Sequence, residues 1–263
     1  MSREERLNSL LAIAVERGSI DVEEAAAALA VSNATIRRDL DSLAERQLVN
    51  RTHGGATLTG SSFALPLHYK AAKEDEAKKR IAEIAAAMVK RHQIVGINGG
   101  TTTTAVARAI AASPEFAPGD AGEPPALTVV TNALNIATEM TVRHQIKIVV
   151  TGGVARPQSY ELTGPLAEEV LHEVNIDIAF VGVEGLDPHN GASARHEDEG
   201  RVNRLIASRA QKVVIVSDSS KFQKRAFALI RPVEEIDTII TDSGIEDETR
   251  KILERAGVEI VIA

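Results

Sequence analysis

The 263-residue sequence predicts an α/β protein in two parts: a small helical domain with a β-hairpin over 1–58, and a larger domain with a mainly parallel sheet over 73–263. Three observations predict it. Residues 2–50 carry three capped, helix-spaced apolar patterns and no strand-like run; β-rich apolar runs alternate with helical stretches beyond Lys73; the segment between, 59–72, has Gly60, Ser61, Ser62 and Pro66 and no period, and reads as a linker.

Each element has its own signal. Ser2 and Glu5 have capping-box spacing, and Leu7, Leu10, Leu11 and Ala14 follow on one face until Gly18 stops the first helix. Asp21 and Glu24 repeat that spacing before Val22, Ala25, Ala26 and Leu29. Ser32 caps a third helix in which Ile36, Leu40 and Leu43 share a face. Past Gln47, "LVNRTHGGATL" forms two β-prone pieces around Gly54 and Gly55, a hairpin. Three helices and a hairpin make a winged helix-turn-helix. In the larger domain, "IVGIN", "LTVVT", "IKIVVT", "DIAFVGV", "KVVIVS", "DTIIT" and "VEIVIA" are apolar on both faces, as strands of a parallel sheet covered on two sides must be. "SPEFAPGDAGEPP", 113–125, predicts a loop with a disordered tip.

Composition excludes several functions. A formal charge of −7 argues against indiscriminate binding to nucleic acid or anionic membrane, so any such contact needs a local patch. With no cysteine there are no disulfides or thiolate metal sites, and no apolar run approaches the ~18 residues of a membrane span. A cytoplasmic location, no membrane partner and no cofactor are expected. The seven histidines are scattered without ligand spacing, so no metal is expected.

A local basic patch exists. Residues 1–58 hold seven arginines and no lysine against nine acids, but the cations at 37, 38, 46 and 51 gather in helix three and the hairpin. Ile36, Leu40 and Leu43 take the buried stripe, which leaves Asn33, Thr35, Arg37 and Arg38 facing outward near the helix start, where a helix-turn-helix reads base edges. Arginine can bond guanine O6 and N7 together, and asparagine can read adenine or hold a phosphate. Arg51 and His53 flank the wing, and Gly54 and Gly55 allow close approach to the DNA backbone. The alternative is a solvated basic turn paired with Asp39 and Asp41.

Read whole, "VSNATIRRDLDSLAERQLVNRTHGGATL" resembles the DeoR family of bacterial transcriptional regulators, whose signature is V-S-x-x-T-I-R-R-D-L followed by a wing ending R-T-H-G-G-A. The resemblance implies that Ser32, Thr35, Arg37 and Arg38 lie in the recognition helix and Arg51, His53 and Gly54 in the wing. It implies a repressor acting on double-stranded operator DNA. A homo-oligomer is expected, since one short helix buries too little surface for tight selective binding.

In the larger domain two glycine pairs follow strands, Asn98-Gly99-Gly100-Thr101 and Thr151-Gly152-Gly153. Glycines at the carboxyl end of a parallel strand, leading into a helix, present N–H groups to an anion, and the threonines at 101–104 add hydroxyls. "VVTN" at 129–132 and "VGVEG" at 181–185 supply further walls. Neither a dinucleotide fingerprint nor a P-loop is present, which favours a small phosphorylated molecule over NAD or ATP.

The resemblance extends here through "GGTTT", "VVTN", "TGG", "LTGPLAEE" and "VSDSSKF". The family's sensor domain is similar in fold to ribose-5-phosphate isomerase and binds sugar phosphates or related metabolites of carbohydrate metabolism. Carried over, Gly100, Thr101, Thr102 and Thr103 hold the phosphate, and Asn132, Gly152, Gly153, Glu184 and Lys221 border the pocket; Lys221 reads equally as a surface residue. The chain departs from the family at Asn98, where aspartate is usual, and at Ala194 and Asn203, where threonine and lysine are usual. The competing class is a sugar-phosphate isomerase or deaminase-like enzyme with a DNA-binding appendage. Glu184, Asp187, His189, His196 and Glu197 are acid–base candidates by type, but Asn203 stands near the catalytic position and cannot act as a base.

Overall fold

The computed structural model describes residues 2–46, 48–58, 76–117 and 123–263. They fall in two compact units, 1–73 and 74–263. The expected linker at 59–72 and the loop tip at 118–122 lie outside the described residues.

The first unit runs α1 (Arg3–Arg17), β1 (Ser19–Asp21), α2 (Val22–Leu29), α3 (Asn33–Glu45), β2 (Val49–Arg51) and β3 (Gly55–Leu58). Ser2 and Glu5 close the capping box on α1, Asp21 caps α2 through the Glu23 and Glu24 amides, and Ser32 caps α3. Leu7, Leu10, Leu11, Ile36, Leu40 and Leu43 meet in one wholly buried cluster with Ile20, Val49 and Ala56.

One strand was not expected. Ser19–Asp21, in a stretch that reads as free of strands, pairs antiparallel with β3, giving the order β1-β3-β2. With Ile20 as its single hydrophobe, three residues show no alternation, and the partner lies more than thirty residues away. The pairing explains Gly55: a Cβ there would lie 1.7 Å from the Ile20 carbonyl oxygen.

The second unit begins with α4 (Glu76–Ala87), β4 (Ile94–Ile97), α5 (Thr101–Ala112), β5 (Leu127–Thr131), α6 (Leu134–Thr141) and β6 (Ile146–Val150). It continues with β7 (Val154–Ala155), β8 (Leu162–Thr163), α7 (Pro165–His172), β9 (Ile176–Val181), β10 (Gly185–Asp187), β11 (Gly191–Ala194) and α8 (Glu197–Ser208). It ends with β12 (Ala210–Val216), β13 (Ala228–Arg231), β14 (Thr238–Thr241), α9 (Asp247–Arg255) and β15 (Glu259–Ile262).

Seven strands, ordered β15-β14-β12-β9-β4-β5-β6, pair parallel throughout. Alternate strand residues face opposite cores: Ile178, Phe180 and Val214 enter one, Ala179, Val181 and Ile215 the other. Two small antiparallel sheets, β10-β11-β13 and β7-β8, are additions to the predicted pattern. Their strands are two to four residues long, too short to show a period. From β4 the chain proceeds outward through β5 and β6, then returns to β4's other side at β9. That reversal falls at β4, whose carboxyl end is the expected place for a ligand in an open α/β sheet. In the 113–125 segment, Pro114–Phe116 forms a 3-10 turn that seats Phe116 in the core.

Candidate DNA-reading face and ligand crevice

On α3, Ile36, Leu40 and Leu43 are wholly buried, while Asn33, Arg37 and Arg38 are exposed. Neither guanidinium makes an ion pair among the described residues. The acids next to them are held elsewhere: Asp39, buried, takes Arg6 Nε at 2.5 Å and Arg6 Nη2 at 3.3 Å, and Asp41 takes Arg51 Nε at 2.8 Å. The alternative of a basic turn neutralised by Asp39 and Asp41 is therefore not what the fold builds.

The other predicted residues of this face divide in two. Ser32 Oγ accepts the Thr35 amide at 3.2 Å and lies 2.9 Å from Thr35 Oγ1, so both serve the cap that starts α3. His53 and Gly54 are exposed at the hairpin turn. Arg51 differs from the expected free cation: besides Asp41, it donates through Nη1 to the Gly55 carbonyl, locking the hairpin to α3.

The carboxyl end of β4 gathers several predicted residues. Gly100 starts α5 at φ +142° with no side chain capping it, and the first helical bond runs from Thr104 N to Gly100 O at 3.0 Å. Such a start leaves first-turn amides without helical partners. Thr101 is half-buried; Thr102 and Thr103 are buried, and Thr103 and Thr104 donate their hydroxyls back to Gly100 O. Their hydroxyls thus shape the turn rather than extend the donor set.

Asn98, expected to face the ligand, is a clasp. Its Oδ1 accepts Gly182 N at 2.8 Å and its Nδ2 donates to Gly182 O at 3.0 Å, joining β4 to the segment after β9. Gly99's amide is also taken, by Glu161 Oε1 at 2.8 Å. Asn132, fully buried, donates to Asn203 Oδ1 at 3.3 Å, and its own Oδ1 has no partner among the described residues.

The remaining predicted residues are not drawn into this group. Gly152 is exposed in a left-handed turn, and Gly153, at φ +112°, packs backbone to backbone: a Cβ would sit 2.6 Å from Thr163 O. Glu184 accepts the Arg195 amide at 2.7 Å. Lys221 closes the 3-10 turn after β12, with β9 between that strand and β4.

Sequence reasoning missed Glu161, Glu199 and Arg156. Glu161 is buried between Gly99 N–H and Asn203 Nδ2, the latter at 3.3 Å. Burial, reinforced by the Glu199 carboxylate, pushes its pKa up to about 8 against the pull of Gly99, Asn203 and Asn132. Arg156 Nε lies 2.8 Å from Glu199 Oε1. A lone glutamate beside a two-residue strand gives no local sign of this; it is placed by the pairing of residues 160–162 with 132–134.

Acid–base candidates fare poorly. Burial works to raise the Asp187 pKa, but Arg225, Asn190 and the amides of His189 and Asn190 hold it well below the usual range, so it caps a turn as a weak base. No helix among the described residues is long and apolar enough to cross a membrane.

Two family models match the chain: the DeoR-like helix-turn-helix domain over residues 6–62 and the DeoR C terminal sensor domain over 73–243. The HTH-type transcriptional regulator GlpR of Haloferax volcanii is 34% identical over 258 residues, covering 98% of this chain and 96% of that protein. The glycerol-3-phosphate regulon repressor of Escherichia coli (strain K12) is 30% identical over 243 residues, 92% of each chain. Among solved structures, ribose 5 phosphate isomerase A from Neisseria gonorrhoeae overlaps 56% of this chain and 54% of its own at 20% identity. Its TM-score of 0.39 is too low to argue from.

Proposed function

The chain belongs to the DeoR family of transcriptional regulators, and from that premise we propose that it represses a carbohydrate-metabolism operon whose operator affinity falls when a phosphorylated sugar or related metabolite binds the crevice at α5. One observation carries the reading of the DNA face: Arg37 and Arg38 stand exposed on the first turns of a capped helix, while Asp39 and Asp41 answer to Arg6 and Arg51. Asn33, His53 and Gly54 complete that face, with Ser32 and Thr35 setting the helix start and Arg51 setting the hairpin.

For the effector, the support is the uncapped start of α5 at the sheet's reversal, with Gly100, Thr101 and Thr102 at its mouth and Asn132 beside it. The glycerol-3-phosphate repressor named above makes a phosphate ester a natural first probe. An effector that prefers the arrangement unsuited to DNA lowers operator affinity by the ratio of its affinities for the two states. The operator is bound by a homo-oligomer, two half-sites supplying the surface that one α3 lacks.

Duplexes selected from a random pool by the full-length protein provide the operator for the test. Arg37→Ala and Arg38→Ala each weaken specific binding by ~1–3 kcal/mol where the side chain reads a base, and lower the salt slope by about one where it meets phosphate. Unchanged affinity and slope in both variants refute the face. Phosphate esters should raise the melting temperature and release the duplex, and their unphosphorylated counterparts should not.

A further inference from the structure

Glu161 is a buried carboxyl that neither the family signature nor the predicted pocket uses. Its stem crosses the turn between β4 and α5 so closely that a Cβ on Gly99 would lie 2.4 Å from Glu161 Cγ. Two hydrogen bonds, from Gly99 N–H and Asn203 Nδ2, fall on one oxygen, Oε1, and Asn132 also bonds the carboxyl. The amide it holds directly precedes the uncapped start of α5. Beside it, the wholly buried Asn132 Oδ1 has no donor among the described residues. The charged group acting on it is the carboxylate of Glu199, one turn before Asn203 on α8, which itself pairs with Arg156.

Resting on the reading of this crevice as an anion site, we infer that Glu161 serves it as a carboxylic acid: Oε1 keeps the Gly99 amide, the proton on Oε2 is donated to the effector's anionic group, and the ionised form excludes that group. An anionic ester supplies the acceptor for the acid's proton.

The electrostatics agree. A carboxylate beside a phosphate dianion, screened by little water, repels it strongly, whereas the neutral acid offers a donor. Burial and Glu199 keep the acid form dominant at neutral pH. Asn203, where the family usually has lysine, leaves no ammonium to hold the proton off.

The experiment is binding of glycerol 3-phosphate and of inorganic phosphate to the full-length protein by calorimetry between pH 8 and 9.5, where the probes are mostly dianions. Wild-type affinity should fall roughly tenfold or more across that range, following the fraction of acid form. Glu161→Gln keeps an acceptor for both bonds and an N–H donor, and should bind with little dependence on pH. Glu199→Gln, which removes the neighbouring charge, should move the wild-type midpoint to lower pH and decides the matter should Glu161→Gln not fold. A flat wild-type profile, or a Glu161→Gln profile that copies it, overturns the inference alone. Failure of either probe to bind wild type at any pH overturns both the inference and the anion reading beneath it.

Discussion

Glu161→Gln also makes a prediction about the empty protein. The substitution keeps the side chain's shape and an oxygen for Gly99 N–H and Asn203 Nδ2, and removes only the titration. In the wild type the folded-state pKa, about 8, stands above the ordinary 4.5. Between those values the folded chain keeps a proton that the unfolded chain has released, so this group's contribution to stability is complete below pH 4.5 and is lost as the pH climbs through 8. Each pH unit inside the window removes about 1.4 kcal/mol. From pH 5.5 to 7.5 the wild-type sensor unit should therefore lose about 2–3 kcal/mol that Glu161→Gln does not lose. Asp187, held by Arg225 and Asn190, is untouched by the substitution and cancels in the difference. Urea unfolding of the sensor transition at pH 5.5, 6.5 and 7.5 measures it. Parallel pH dependences in the two proteins would refute the reasoning and mean that Glu161 is ionised and well solvated.

Two further outcomes are expected. Leu40→Ala empties a wholly buried position in the small unit, which costs about 3 kcal/mol or more. At ~4–8 °C per kcal/mol for a domain of that size, calorimetry should show its melting fall well below that of the sensor unit, and an equal fall in both would show that the units do not melt separately. Gly153→Ala brings a Cβ to 2.6 Å from Thr163 O at a φ of +112°. It should destabilise the sensor unit by about 2 kcal/mol, and an unchanged melting temperature would mean that the glycine is there for a ligand and not for packing.

What could be read along the chain was local. The capping box at Ser2, the caps at Asp21 and Ser32 and the period of Ile36, Leu40 and Leu43 fall within single elements, and they placed three helices and an outward pair of arginines. The doubly apolar runs announced a parallel sheet because burial on both faces leaves its mark on every residue. Contacts between distant segments left no such mark. Asn98 looks like a ligand residue until Gly182, 84 positions on, claims both ends of its amide. Gly153 looks like an anion loop until the Thr163 carbonyl fills the space beside it. Ser19–Asp21 becomes a strand only because β3 returns to it. Glu161 is the extreme case, an ordinary glutamate in an ordinary stretch whose burial depends on where β5 ends.

The tie between Arg6 and Asp39 reaches past the geometry of one ion pair. It rivets the opening helix to the reading helix at a point where neither can turn alone, and the Arg51 latch to Asp41 and Gly55 does the same for the hairpin. Within the small unit, α1, α3 and the hairpin are therefore fastened to one another by side chains as well as by the shared apolar core.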